Sequence, residues 1–307
     1  MSEHVPVMLA EAIEYLNIKA DGIYVDMTLG GGGHSEAILK RLDQGRLFAF
    51  DQDRYAIERA KKRLGKYTNI IYIHDNFRSL RHHLTNNGVD KVDGILFDLG
   101  VSSFQFDIPE RGFSYQHDGP LDMRMDENNT LDAFMIVNQY TERELAEILF
   151  RYGEEPFSRP IARKIVQARS ASPIKTTLQL VEVIKSALPE RILRKKGHPA
   201  KQTFQALRIA VNDELNVLQE TLIEAIDLLE KGGRLVTITF HSLEDRIVKT
   251  IFKEKSTVSI PKGLPVIVQE TPPLNLLTKR VIKPSEAEIL ANNRAHSAKL
   301  RAVEKAD

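Results

Sequence analysis

Four consecutive glycines, Gly30 to Gly33, stand between a short apolar run, Gly22 to Met27, and an amphipathic stretch, Ser35 to Leu42. A strand, a glycine turn and a helix in that order let the backbone approach a ligand closely, because glycine adopts positive φ and has no β-carbon to block the approach. The alternation continues over the first hundred residues. Arg46–Asp51, Asn69–His74 and Val92–Leu99 read as further strands, with Arg54–Leu64 and Arg78–Asn86 as the helices between them. This rhythm predicts an α/β fold with a mostly parallel sheet covered by helices.

The rhythm stops near Phe104. From there to Asp213 no comparable strand occurs; Pro109–Pro120 reads as turns, and Leu131–Tyr152 and Arg159–Arg169 as helices. Phe204, Leu207, Val211, Leu215, Leu218, Leu222 and Ile226 recur at steps of three or four, with no Gly or Pro between Ala200 and Lys231. That predicts one long helix stopped by Gly232-Gly233. Arg234–Phe240 then reads as a fifth strand followed by a helix from Leu243, Leu264–Ile282 as an edge strand or hairpin, and Ser285–Asp307 as a polar helical tail. The expected organisation is one domain made of residues 1–104 and 214–307, interrupted by a mainly helical insertion, 105–213.

Charge is balanced overall, with 43 Lys and Arg against 42 Asp and Glu, so nucleic-acid binding would have to come from local patches. One such stretch carries Arg191, Arg194, Lys195, Lys196 and Lys201 with only Glu190 nearby. It suits phosphate binding, and its alternative is a solvated loop. Arg294, His296, Lys299 and Arg301 form a second cationic group at helix-like spacing, read either as RNA contact or as an exposed face. The chain has no cysteine, which excludes disulfides, thiolate zinc sites and cysteine nucleophiles. Its histidines show no ligand spacing, so no metal is expected. With neither a basic-then-apolar leader nor ~18 successive apolar residues, a cytoplasmic protein without a membrane partner is expected.

The ligand of the glycine loop can be approached by elimination. A Walker-type phosphate loop needs Lys-Ser or Lys-Thr after its last glycine, where this chain has His34-Ser35. A dinucleotide fingerprint beginning at Gly30 would want glycine at Ser35, and Asp26 would sit badly beside a pyrophosphate. A cationic ligand without phosphate, such as S-adenosylmethionine, suits an acidic strand end better. Asp51 ends the second strand, where a carboxylate takes ribose hydroxyls, although Asp53 competes for that role or for a helix cap. His74-Asp75-Asn76-Phe77 and Asp98 to Ser103 follow the next two strands, and His241-Ser242 the fifth; in an open α/β sheet all of these converge on one crevice. Phe77 reads either as an adenine partner or as core.

Several longer blocks carry a resemblance: H-V-P-V-M at 4–8, T-L-G-G-G-G-H-S at 28–35, F-D-L-G-V-S-S at 97–103, R-G-F-S-Y at 111–115, L-D-M-R-M-D at 121–126, G-H-P-A-K-Q-T-F-Q-A-L-R-I-A-V-N-D-E-L at 197–215 and T-F-H-S-L-E-D-R at 239–246. Together they closely resemble the MraW family of small-subunit ribosomal RNA methyltransferases, over essentially the whole chain. The resemblance implies a class I S-adenosylmethionine-dependent methyltransferase fold, Rossmann-like, with the insertion as substrate-recognition domain. It implies N4-methylation of a cytosine, position 1402, in the 16S rRNA decoding centre, with 16S rRNA in the small ribosomal subunit as partner; it leaves an oligomer open. The cofactor contacts it carries over are Gly32, Gly33, His34, Asp51, Phe77, Asp98 and Gln105.

Cytosine N4 is a weak nucleophile whose lone pair is delocalised into the ring, so an acceptor gripping its N–H bonds is wanted; Asp98 is the catalytic candidate. Base amino-methyltransferases usually follow this acid with two prolines and an aromatic, whereas this chain has D-L-G-V at 98–101, leaving stacking to Phe104, Phe113 or Tyr115. The substrate-binding candidates are Arg194, Lys195, Lys196, His198, Lys201 and His241. Methylation at cytosine C5 generally needs a thiolate, which no residue here supplies. The competing readings are a methyltransferase for a small molecule or a protein, and a non-catalytic RNA-binding assembly factor.

Overall fold

Leu47, Phe48, Ala49 and Phe50 are all buried. A continuous apolar run of this kind belongs to a strand covered on both faces, as the strands of a parallel sheet are. The computed structural model describes residues 6–258 and 271–306, in two compact units: Met1–Gly100 with Leu215–Asp307, and Val101–Glu214.

The first unit begins with α1 (Leu9–Leu16), a helix not foreseen from the sequence, which buries Ala12, Ile13 and Leu16. There follow β1 (Ile23–Asp26), α2 (Gly33–Leu39), β2 (Arg46–Asp51), α3 (Arg54–Leu64), β3 (Ile70–His74), α4 (Leu80–Asn86) and β4 (Val92–Asp98). The second unit is helical: α5 (Ser103–Asp107), α6 (Ala133–Gln139), α7 (Glu142–Gly153), α8 (Ser158–Ala171), α9 (Thr177–Ala187), α10 (Glu190–Leu193) and α11 (Lys201–Asn212). The chain then runs through α12 (Glu214–Leu228), β5 (Leu229–Thr239), α13 (Ser242–Lys255), β6 (Leu274–Leu276), α14 (Glu286–Ala291) and β7 (Lys299–Lys305).

Among the described residues seven strands form one sheet, in the order β3-β2-β1-β4-β5-β7-β6. The first five pair in parallel, with Val25 opposite Phe48 and Ile95, while β7 runs antiparallel between β5 and β6. This is the α/β arrangement of a class I methyltransferase. Strand order reverses beside β1, the place where open α/β sheets bind ligands. Among the described residues no helix is long and apolar enough to cross a membrane.

Three sequence expectations are corrected. The helix expected over Leu131–Tyr152 is two, because Thr141 starts a new one: its hydroxyl caps the Glu144 N–H, and the Glu144 carboxylate takes the Thr141 N–H at 2.8 Å. The long helix ending at Lys231 is also two, broken at Asp213, which sits at φ 51°. Apolar spacing cannot reveal this break. Within the second unit the Asn212 side chain accepts from Met125 N–H and donates to Met123 O, each at 2.8 Å, fixing the chain end against the L-D-M-R-M-D segment. Gly232-Gly233 does not stop a helix; it lies inside β5, where the register against β4 shifts between Val92 and Gly94.

The third correction is the tail. Only Glu286–Ala291 of Ser285–Asp307 is α-helical, and Lys299–Lys305 is a strand. Leu300, Ala302 and Val303 are buried, while Arg301 and Lys299 pair with Asp245 at 2.8 and 3.3 Å. Burial of these apolar residues beside β5 outweighs the charge pattern that suggested a polar helix. The expected edge strand within Leu264–Ile282 is short, Leu274–Leu276; its residues up to 270, like His4 and Val5, lie outside the described residues.

Candidate active site

Strands β1, β2 and β4 end in Asp26, Asp51 and Asp98. Because the strands are parallel, the three carboxylates share one edge of the sheet. Past β1 the backbone keeps its neighbours, with Met27 N–H donating to Leu96 O at 2.9 Å and Leu29 N–H to Phe50 O at 2.8 Å. Thr28 Oγ1 accepts the Asp98 N–H at 2.7 Å. The chain then turns through Gly30 and Gly32, at φ 49° and 75°, a conformation that side chains resist. Among the described residues, a β-carbon on Gly31 would meet nothing within 4 Å.

Each carboxylate is held differently. Asp26 is 1% exposed; its Oδ2 accepts from Ser35 Oγ at 2.6 Å and its Oδ1 from Thr28 N–H at 3.1 Å. Burial lifts its pKa to about 6 against these two bonds. Asp51 accepts from Gly30 N–H at 2.8 Å and from Asp53 N–H at 2.9 Å. Burial pushes it up to about 7, and the charges of Asp53 and Asp26 add to the rise. Asp53 itself caps α3, accepting from Tyr55 N–H at 2.9 Å. The two acids that compete in the sequence thus have separate places. Asp98 is raised well above the ordinary range by burial first, then by Asp26 and Glu244. Its Oδ1 is buried without a hydrogen-bond partner among the described residues, and its Oδ2 lies 3.4 Å from Nδ1 of the buried His34.

Three crowded carboxylates at elevated pKa fit a cation, whose positive charge restores their ionised forms. No Lys or Arg occurs from Asp26 to Ser35 to hold a phosphate. The residues therefore fit a positively charged ligand lacking phosphate.

A pH dependence follows. The folded values of Asp26 and Asp51 lie above the unfolded value of about 4. The native state therefore binds more protons, and the stability these groups contribute is complete below pH ~4 and lost as pH rises through ~6 to ~7. The melting temperature of the ligand-free protein should fall between pH 5 and 7.5, measured by calorimetry, and Asp51→Asn should flatten that fall. An unchanged slope in the variant would contradict the assignment.

The remaining candidates occupy varied surroundings. Phe77, in a short turn after β3, is half-buried and packs edge to face on Phe97, centroids 5.7 Å apart. Gln105 lies in the second unit, where its Oε1 accepts from Ser102 N–H at 3.0 Å in the capping box of α5. His241 caps α13, its Nδ1 accepting from Glu244 N–H at 3.4 Å. Glu244 is 3% exposed, and its Oε2 takes the N–H groups of Phe240 and His241. Sequence reasoning missed Glu244, though the H-S-L-E spacing of a capping box was there to find it. It used Asp26 as the acidic strand end that favours a cation, without foreseeing the Ser35 bond that ties the end of β1 to α2.

Within the second unit, His198 stacks on Tyr115 at 4.4 Å and 18°, and Phe204 meets Tyr115 edge-on at 5.7 Å. Burial, then Lys185, lowers the His198 pKa, so this imidazole is neutral at pH 7. Arg194 pairs with the exposed Glu190 at 2.7 Å, and Lys195, Lys196 and Lys201 are exposed.

Among solved structures, an rRNA methylase from Streptococcus thermophilus is 14% identical, with 97% of this chain and 92% of that one covered and a TM-score of 0.42. A Streptococcus mutans protein described as a methyltransferase and solved in complex with SAH is 12% identical, covering 98% and 99%, TM-score 0.46. A SAM-dependent O-methyltransferase from Thermotoga maritima is 10% identical, covering 100% and 69%, TM-score 0.42. A family model matches residues 1–306, and by that match the chain belongs to the MraW methylase family.

Proposed function

We propose that the protein is an S-adenosylmethionine-dependent ribosomal RNA methyltransferase acting on the exocyclic N4 of a cytosine in the 16S decoding centre, within the small ribosomal subunit. The observation that carries this reading is the Asp98 carboxylate, at a strand end beside the glycine loop, its buried Oδ1 without a partner among the described residues. When bound, S-adenosylmethionine supplies an electrophilic methyl group and a positive charge.

This chain's residues then have distinct tasks. Gly32 and Gly33 let the backbone come close, Asp51 accepts from ribose hydroxyls, and Phe77 offers its ring to adenine. Asp26, fixed by Ser35, adds negative charge that favours an ammonium. The Asp98 carboxylate accepts an N–H of the target amine, drawing electron density back onto nitrogen and orienting its lone pair. His34 and Gln105 stand as the remaining cofactor contacts, and His241 orders the entry to α13 beside Glu244. With no cysteine, a thiolate addition at C6 is unavailable, which favours nitrogen over C5 as acceptor.

In the second unit, Arg194, Lys195, Lys196 and Lys201 serve RNA phosphates, while the neutral His198 and Tyr115 offer a stacked ring pair. Replacing Lys195, Lys196 and Lys201 together by Gln should weaken rRNA binding and reduce the log K against log salt slope by about two to three, at unchanged cofactor affinity. An unaltered slope would assign these lysines to a solvated face. The deciding experiment incubates the protein and labelled S-adenosylmethionine with naked 16S rRNA, small subunits or whole ribosomes, and maps the product by nucleoside mass spectrometry. Label at C5, on a 2′-hydroxyl or on protein alone would overturn the reading.

A further inference from the structure

The loop histidine constrains where a proton sits. His34 Nε2 lies 3.1 Å from the carbonyl oxygen of Val7. A carbonyl only accepts, so Nε2 carries hydrogen, and a ring with that hydrogen alone turns its Nδ1 lone pair toward Asp98 Oδ2, 3.4 Å away. Two lone pairs facing each other in a buried place repel, and one proton between them removes both the repulsion and a net negative charge. The surroundings press the same way. Asp26 from the end of β1 and Glu244 from the first turn of α13 act on Asp98, and Asp51 at the end of β2 completes the acidic edge; His241, beside Glu244, is the further titratable ring.

We propose that His34 and Asp98 hold one proton between them in the ligand-free protein, that a sulfonium donor expels it, and that Asp98 thereby becomes the carboxylate that receives the proton of the target amine. This rests on the methyltransferase reading above. On binding, the pair's proton goes to solvent as the positive sulfur arrives. In transfer, the carbon–sulfur bond breaks with its electron pair left on sulfur, the new carbon–nitrogen bond forms, and the amine proton passes to the Asp98 carboxylate. The pair then shares it as before. The product thioether is neutral, so the protonated pair suits it, and the cycle closes with the methyl group moved and one proton released in all. His34 acts through Asp98 as a positioning and proton-holding residue. The 3.4 Å separation is that of a pair not yet tightened by ligand.

The test is calorimetric and needs no RNA. S-adenosylmethionine and its thioether product are titrated into the full chain in buffers of different ionisation enthalpy, which reports protons released per ligand. The sulfonium should release about one proton more than the thioether, and its affinity relative to the thioether should rise by up to tenfold per pH unit where the pair is protonated. His34→Gln, which keeps a donor for Val7, and Asp98→Asn should each lower that difference by about one proton, leaving only the smaller release from Asp26 and Asp51. Equal proton release by the two ligands in the unaltered protein would overturn the proposal, and so would a difference that is undiminished in either variant. If neither ligand binds, the cofactor reading itself has failed. Should His34→Gln not fold, the unaltered protein and Asp98→Asn still decide.

Discussion

Asp98→Asn should lower the single-turnover rate of methyl transfer by about 10²- to 10⁴-fold, the range that a positioned proton acceptor contributes. The asparagine keeps an oxygen to accept a hydrogen bond but takes no proton at neutral pH, so the loss should fall on kcat rather than on KM for RNA. Stability should move in the opposite direction. Asp98 is a carboxylate crowded by Asp26 and Glu244, with one oxygen buried and unpartnered. Above pH ~4 the unfolded chain gains by ionising Asp98 while the fold resists it; an asparagine removes that difference, and the ligand-free variant should melt at higher temperature than the unaltered protein at pH 7.5. A gain in stability with a collapse in rate is the signature of a site strained for function. Near-normal turnover at saturating cofactor would remove Asp98 from the chemistry; a lower melting temperature would show the carboxylate to be structural.

Gly112→Ala should destabilise the second unit by about 3 to 5 kcal/mol, combining a strained backbone with an overlap that has no soft neighbour. Gly112 sits at φ 72°, and a β-carbon there would lie 2.2 Å from Pro120 O and 2.8 Å from Asp122 N, both backbone atoms. Those atoms are fixed by their own bonds. Asp122 N–H donates to Pro120 O, Leu121 N–H to Lys175 O, and Met123 N–H to Arg111 O. Against a total of about 5 to 15 kcal/mol for an ordinary domain, such a loss is severe. Chemical denaturation should show a separate early transition, accompanied by loss of rRNA binding. A single transition at the original midpoint would refute this account.

The first unit was legible in the sequence where physics is local. Arg46–Asp51 and Arg54–Leu64 are strand and helix within those bounds, because an apolar run buried on both faces and an Asp53 cap are both written in neighbouring residues. The glycine loop and the acids at the strand ends were legible for the same reason. The tail was not. Lys299–Lys305 carries a charge pattern that fits a helix and a strand alike, and only the open edge of β5, 60 or so residues earlier in the chain, makes it a strand.

The breaks at Thr141 and Asp213 show the intermediate case. The first is signalled by its own Glu144 and could have been found; the second depends on Asn212 reaching the backbone of Met123 and Met125, nearly 90 residues away in sequence. Spacing and composition determined that this chain has a parallel sheet with a glycine loop among carboxylates. Tertiary structure alone decided which carboxylate oxygen lacks a partner and which imidazole nitrogen faces it, because desolvation and hydrogen-bond direction depend on what surrounds an atom in space, and the order of residues along a chain does not contain that.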